Sequence, residues 1–199
     1  MTSPRRTLLL APLLAGACSV LPDRPYVETR RFPLAPRREG PPRRGGRRVL
    51  LVRLMRAGPG MDARGLRTLR PDGSQATDFY AEWVALPAEA ADEALRQWLT
   101  ASGLFSAVVP QGSRARADLV LEPELLTLQA EPARGVARAT LSALLLADAP
   151  QGGTRVLAQV PIEGTAPLNG SDADAVARAS EAALGAAFRQ LEQALTRFA

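Results

Sequence analysis

The chain of 199 residues contains one cysteine, Cys18, and the position of that residue constrains everything that follows it. A short basic head, Arg5 and Arg6, precedes an apolar run from Leu8 to Ala15, and small residues lead into the cysteine. That is the layout of a bacterial secretory signal. The run is too short to span a bilayer, which takes roughly 20 residues. Leu14-Ala15-Gly16-Ala17-Cys18 has the form of a lipobox, although Ala15 stands where a large apolar residue is usual and Leu14 sits one place earlier. Residues 1–17 are therefore expected to be a lipoprotein signal peptide, with Cys18 the acylated first residue of the mature chain. A diacylglycerol thioether plus an N-acyl chain, at roughly 0.8 kcal/mol per buried methylene, makes a permanent membrane anchor. With its only cysteine acylated the chain can form no disulfide, so its fold rests on packing alone. About 180 residues remain, enough for one domain with its own core.

Residue chemistry narrows the function. There is no His and no Lys, so all 25 basic residues are Arg. Without His there is no imidazole base, no Ser-His-Asp triad and no His-ligated metal. Without Lys there is no phosphate-loop lysine and no Schiff base. What remains is a paired-carboxylate hydrolase, for which Glu122 with Glu124 and Asp172 with Asp174 are the candidates. A solvated face or a helix cap accounts for both pairs better. No cofactor and no metal is expected.

The net charge of +5 is unevenly distributed. Residues 23–48 carry nine Arg against three acids, whereas residues 49–199 carry 14 Arg against 17 acids. The body is mildly acidic, which argues against a nucleic-acid partner. Residues 18–46 hold the lipidated end and six prolines, with Gly45-Gly46 closing the stretch, so they read as a semi-rigid Pro/Arg-rich linker. Its arginines are read as solvated charge, with anionic head groups as the alternative. The folded domain is expected over residues 47–199.

Along that domain, residues 49–54 form a β-branched and leucine run, a first buried strand. A second short strand is expected over 65–70, followed by a Pro71-Asp72-Gly73 turn. From Thr77 the sequence alternates, with Phe79, Ala81 and Trp83 on one face and Tyr80, Glu82 and Val84 on the other. Pro87 opens a helix over 87–102 in which Ala91, Ala94, Leu95, Trp98 and Leu99 recur at helical spacing, and Gly103 stops it. Strands are expected at 104–109, 118–130, 135–148 and 154–164, the last three as an antiparallel meander, with Pro123 marking a bulge or an edge. Leu184, Phe188, Leu191, Leu195 and Phe198 then form the stripe of a helix over 172–197, capped near Ser171 with Asp174. Tyr80 and Trp83 are candidates either for partner contact or for core.

The order of these landmarks resembles the ABC-type transport auxiliary lipoproteins, PqiC-like proteins that accompany MCE (mammalian cell entry) lipid-transport systems. The resemblance is carried by Cys18-Ser19 with Leu21-Pro22 and Tyr26, by the 49–54 strand, by Thr77-Asp78-Phe79-Tyr80-Ala81-Glu82-Trp83 running into Pro87, and by Ser102-Gly103-Leu104-Phe105. It departs at Ala15 and in the length of the Pro/Arg stretch. The resemblance implies an α+β fold, a two-layer α/β sandwich similar to the N-terminal domain of TolB, with a mostly antiparallel or mixed sheet and two main helices on one face. It implies a non-enzymatic accessory subunit on the periplasmic side of the envelope, whose partners are MCE-domain and ABC permease and ATPase subunits, with a homo-oligomer allowed. Ser19 after the cysteine fits sorting to the outer membrane. The alternative is a lipoprotein assembly factor that docks another envelope protein by strand addition or in a helix groove.

Overall fold

The structure is a computed structural model that describes residues 26–148 and 153–199. The segment read as a signal peptide, Cys18, Ser19 and residues 149–152, between the expected strands 135–148 and 154–164, lie outside the described residues. Among the described residues the elements are β1 (Arg30–Phe32), β2 (Val49–Val52), β3 (Arg56–Ala57), β4 (Gly65–Leu69), β5 (Gln75–Trp83), α1 (Pro87–Ser102), β6 (Ala107–Pro110), β7 (Leu119–Glu131), β8 (Val136–Asp148), β9 (Thr154–Pro167) and α2 (Ala173–Leu195). The architecture is the expected α+β one: a single mixed sheet with both helices packed on it.

The long strand β7 is the axis of the sheet. Along one edge it pairs antiparallel with β8 over nearly its whole length, and β8 pairs antiparallel with β9, which completes the meander. Along its other edge three short strands follow one another, β2, β3 and β4, all parallel to it. The sheet then branches, β2 pairing with β6 and β4 with β5.

Pro123 sits mid-strand opposite Ala143, without a bulge of its own, and the irregularity falls later, between Leu125 and Thr127. The reason is local. The Leu121 and Leu125 carbonyls accept from Arg53 and Gly58 on the β2/β3 side, so by strand alternation the N–H missing from residue 123 would point the same way. It falls in the gap between β2 and β3, where no ladder bond is lost.

One face of the sheet is the core. Leu50, Leu119, Leu121, Leu125, Leu141, Leu145 and Ile162 are buried there against Leu95, Trp98 and Leu99 of α1 and Leu184, Phe188, Leu191 and Leu195 of α2. Trp98 meets Phe188 edge-on at 5.7 Å. The first half of α2 is alanine-rich, and at its middle, around Ala183 and Ala187, the helix lies almost on the backbone of β9. A Cβ on Gly164 would overlap the Ala183 carbonyl oxygen and the Ala187 nitrogen. The cap of α2 is Asp172 rather than Ser171, its carboxylate accepting from the Ala175 N–H at 2.8 Å, and the α-helix ends at Leu195. Among the described residues the opposite face of the sheet carries no helix; on it Val109, Leu51, Val120, Leu146 and Val156 fall in register as one row across five strands.

The main departure from expectation lies in residues 18–46. Their described part is folded onto the domain rather than forming a linker. β1 pairs parallel with the outer edge of β5, Arg30 opposite Ala81 and Phe32 opposite Trp83. Leu34 is buried in the core cluster. Arg38 forms a buried ion pair with Glu192 of α2 at 2.9 Å, and the Arg43 N–H donates to the Ser102 carbonyl at the end of α1. Residues 30–43 are therefore a strap across both helices, and the domain begins well before residue 47.

Candidate interaction surface

The two residues singled out from the sequence, Tyr80 and Trp83, separate in the structure. Trp83 is 3% exposed and belongs to the core, while Tyr80 is 54% exposed. The cause is a bulge in β5. Gly65 of β4 pairs with Glu82 and Arg67 pairs with Thr77, so the four residues 78–81 of β5 stand opposite the single residue Leu66. The Asp78 carboxylate closes the bulge by accepting from the N–H groups of Tyr80 at 2.8 Å and Ala81 at 3.1 Å. Gly65 makes room for it, since a Cβ there would overlap the Thr77 methyl and the Asp78 carbonyl.

The extra residues reset the alternation. Phe79, expected on the same face as Ala81 and Trp83, is 87% exposed while those two are buried. Sequence reasoning missed it because strict period-two counting cannot see an inserted turn; the Thr-Asp pair ahead of it, able to form such a turn, was the available signal. β1 runs parallel to β5, so the chain reaches it from the side on which the bulge sits, and Tyr26, just ahead, is 89% exposed. Four charges of this corner are paired with one another. Arg30 donates to Asp174 at 2.7 Å and holds that carboxyl below its ordinary range, and Arg31 donates to Glu82 at 2.7 Å.

Beyond the bulge, Val84, Pro33 and Ala35 join Ala90 and Ala94 of α1 around an open groove of about 320 Å³ with Glu89 and Glu93 among its lining residues. The pairs weighed as catalytic acids are dispersed. Glu122 is paired with Arg53 and Glu124 with Arg56, each at 2.7–2.8 Å, while Asp172 caps α2 and Asp174 holds Arg30.

Three carboxylates are buried: Asp92, which accepts from the Met55 N–H at 2.9 Å and pairs with Arg96, and two glutamates. At Glu192, burial opposes ionisation most strongly, but hydrogen bonds from Arg38 and from the Trp98 indole at 2.9 Å, with the charges of Arg38 and Arg43, outweigh it and leave the carboxyl below its ordinary range. At Glu131, on the face without helices, burial is likewise overcome by Arg138, Gln129 and Arg134. Both glutamates are enclosed by their own partners, which suits them to hold the fold rather than to meet a ligand. The arrangement as a whole offers surfaces for contact.

A family model described as the ABC-type transport auxiliary lipoprotein component matches residues 32–192. Among solved structures, a DUF330 protein from Xanthomonas campestris is similar over 84% of this chain and 95% of its own, with a TM-score of 0.69 and 23% identity. A second, uncharacterized protein is similar over 86% of this chain and 98% of its own, with a TM-score of 0.58 and 16% identity. At these identities the structures speak for the fold alone. No curated protein matches the sequence. The family match runs from the end of β1 to the last turns of α2, and the chain thus belongs to the ABC-type transport auxiliary lipoprotein components.

Proposed function

We propose that this lipoprotein is the non-enzymatic accessory subunit of an ABC/MCE-type transport system that moves phospholipid or other hydrophobic cargo between membranes. It is anchored through Cys18 on the periplasmic side of the outer membrane and acts by binding and bridging MCE-domain, permease or ATPase subunits. The observation that carries this reading is the family match over residues 32–192. The lipobox at Cys18 and the absence of His and Lys support an anchored binding role over catalysis. The dispersal of the carboxylate pairs, three onto separate arginines and Asp172 onto the N-terminus of α2, supports it further.

The test is affinity purification of the lipidated chain from its native envelope after mild cross-linking, with partners and lipids identified by mass spectrometry. The expected result is co-purification of an MCE-domain subunit with a permease or ATPase. Recovery of an unrelated envelope protein, with no transport subunit, would overturn the proposal in favour of an assembly factor.

A further inference from the structure

The aromatic corner and the length of the tether belong together. If all of residues 18–46 were spacer, those 28 steps could hold the domain up to about 95 Å from the membrane. With the chain folded from β1 onward, only eight Cα–Cα steps separate Cys18 from Tyr26 at the corner, a reach of at most about 28 Å. The side from which the chain enters the fold is also the side on which the β5 bulge pushes out Phe79 and Tyr80. Exposed Phe and Tyr side chains on a closed, hydrogen-bonded turn are suited to the boundary between water and acyl chains, where an apolar ring and a polar rim are both accommodated.

Resting on the reading that Cys18 is lipidated, we infer that the Phe79–Tyr80 bulge, together with Tyr26, is a membrane-contact lip set in the head-group region of the bilayer that holds the anchor. The contact is taken to be chiefly aromatic, since Arg30, Arg31, Asp174 and Glu82 are paired with one another and Asp78 closes the bulge. The lip and the short tether together fix which end of the domain faces the lipid, leaving the opposite end for partners.

The experiment uses the full lipidated chain in vesicles of phosphatidylethanolamine and phosphatidylglycerol, with no other protein present, and a Phe79→Trp variant that keeps an aromatic ring at the bulge. The native Trp83 and Trp98 are buried, so the added emission is read as the difference from the unsubstituted chain. Val156→Trp, at an exposed position on the far strand and toward the opposite end of the sheet, is the control. Brominated lipids are expected to quench and blue-shift the emission at position 79 and to leave that at 156 unchanged, and the difference is expected to persist in high salt, where attraction between charges is screened. A bulge that stays unquenched on vesicle-bound protein, equal quenching at both positions, failure of the chain to bind vesicles, or a blue shift that needs an added envelope protein would each overturn the inference. The readout is independent of transport partners. Quenching at 79 with no MCE or ABC subunit recovered would sink the proposed function and spare the lip, and the reverse pattern would do the opposite.

Discussion

Glu192 shows how one residue ties three distant parts of the chain together. It lies on α2 beside the apolar stripe, receives the Arg38 guanidinium from the strap and the Trp98 indole from α1, and has Arg43 at 3.5 Å. Removing Arg38 would leave a buried carboxylate with only its weaker partners, and loss of one member of such a pair costs about 3–5 kcal/mol. Arg38→Ala is therefore expected near the lower end of that range, about 3 kcal/mol, read as a fall in the urea midpoint at pH 7. The pH dependence follows from the depressed carboxyl. Its contribution is fully present above the unfolded-state value, about 4.3, and is lost as pH falls through the lower folded-state value. Glu131 adds a slope of the same sign, so the Glu192 share is the difference between the unsubstituted chain and Glu192→Gln, whose urea midpoint should fall less steeply below about pH 4.5. Equal slopes for the two proteins would show that Glu192 is not held ionised by its partners. None of this was legible in the sequence. A Glu in an amphipathic helix reads as solvent-facing, and its partners lie 154 and 94 residues away.

At the level of elements, legibility followed locality. The α1 boundaries and the β7–β8–β9 meander could be read because Pro87, the helical spacing and the alternation of long strands are local signals. Strands as short as β1 and β3 have no period to read, and the β5 bulge breaks a period that does exist. That break decides the surface, since it parts Phe79, which is exposed, from Ala81 and Trp83, which are buried, although plain alternation puts all three on one face. The alanine-rich half of α2 gave too weak a stripe to show what it packs on. The structure supplies the reason: alanine is what a helix seated on Gly164 of β9 can carry. Gly164→Ala forces α2 away from the sheet, because the new methyl meets backbone rather than a movable side chain, and overpacking of this kind costs about 1–3 kcal/mol. The expected result is a lower thermal midpoint with retained helical circular dichroism, and an unchanged midpoint would show that the helix is not seated there.

At the scale of the whole molecule, the charge asymmetry of the sequence acquires a different meaning. A basic N-terminal stretch ahead of an acidic body suggested a solvated spacer, yet four arginines of that stretch meet acids of the body: Arg30 with Asp174, Arg31 with Glu82, and Arg38 and Arg43 with Glu192. The four prolines of the strap, Pro33, Pro36, Pro41 and Pro42, suit a strap as well as a spacer, since they keep a chain extended without requiring ladder partners. Complementary charge between two parts of one chain was thus visible, but composition does not record whether such parts touch. A truncation decides it. A domain starting at Arg47 loses β1, the buried Leu34 and the Arg38 partner of Glu192, and burial of one leucine is worth about 1.5–3 kcal/mol. With the ion-pair loss the deficit is about 5 kcal/mol, comparable to the whole stability of many domains, about 5–15 kcal/mol. The domain starting at Tyr26 is expected to unfold cooperatively in urea, whereas the one starting at Arg47 is expected to be largely unfolded or to have its midpoint far lower. Matching midpoints for the two would return residues 26–46 to the role of spacer, and with it the long reach from the membrane.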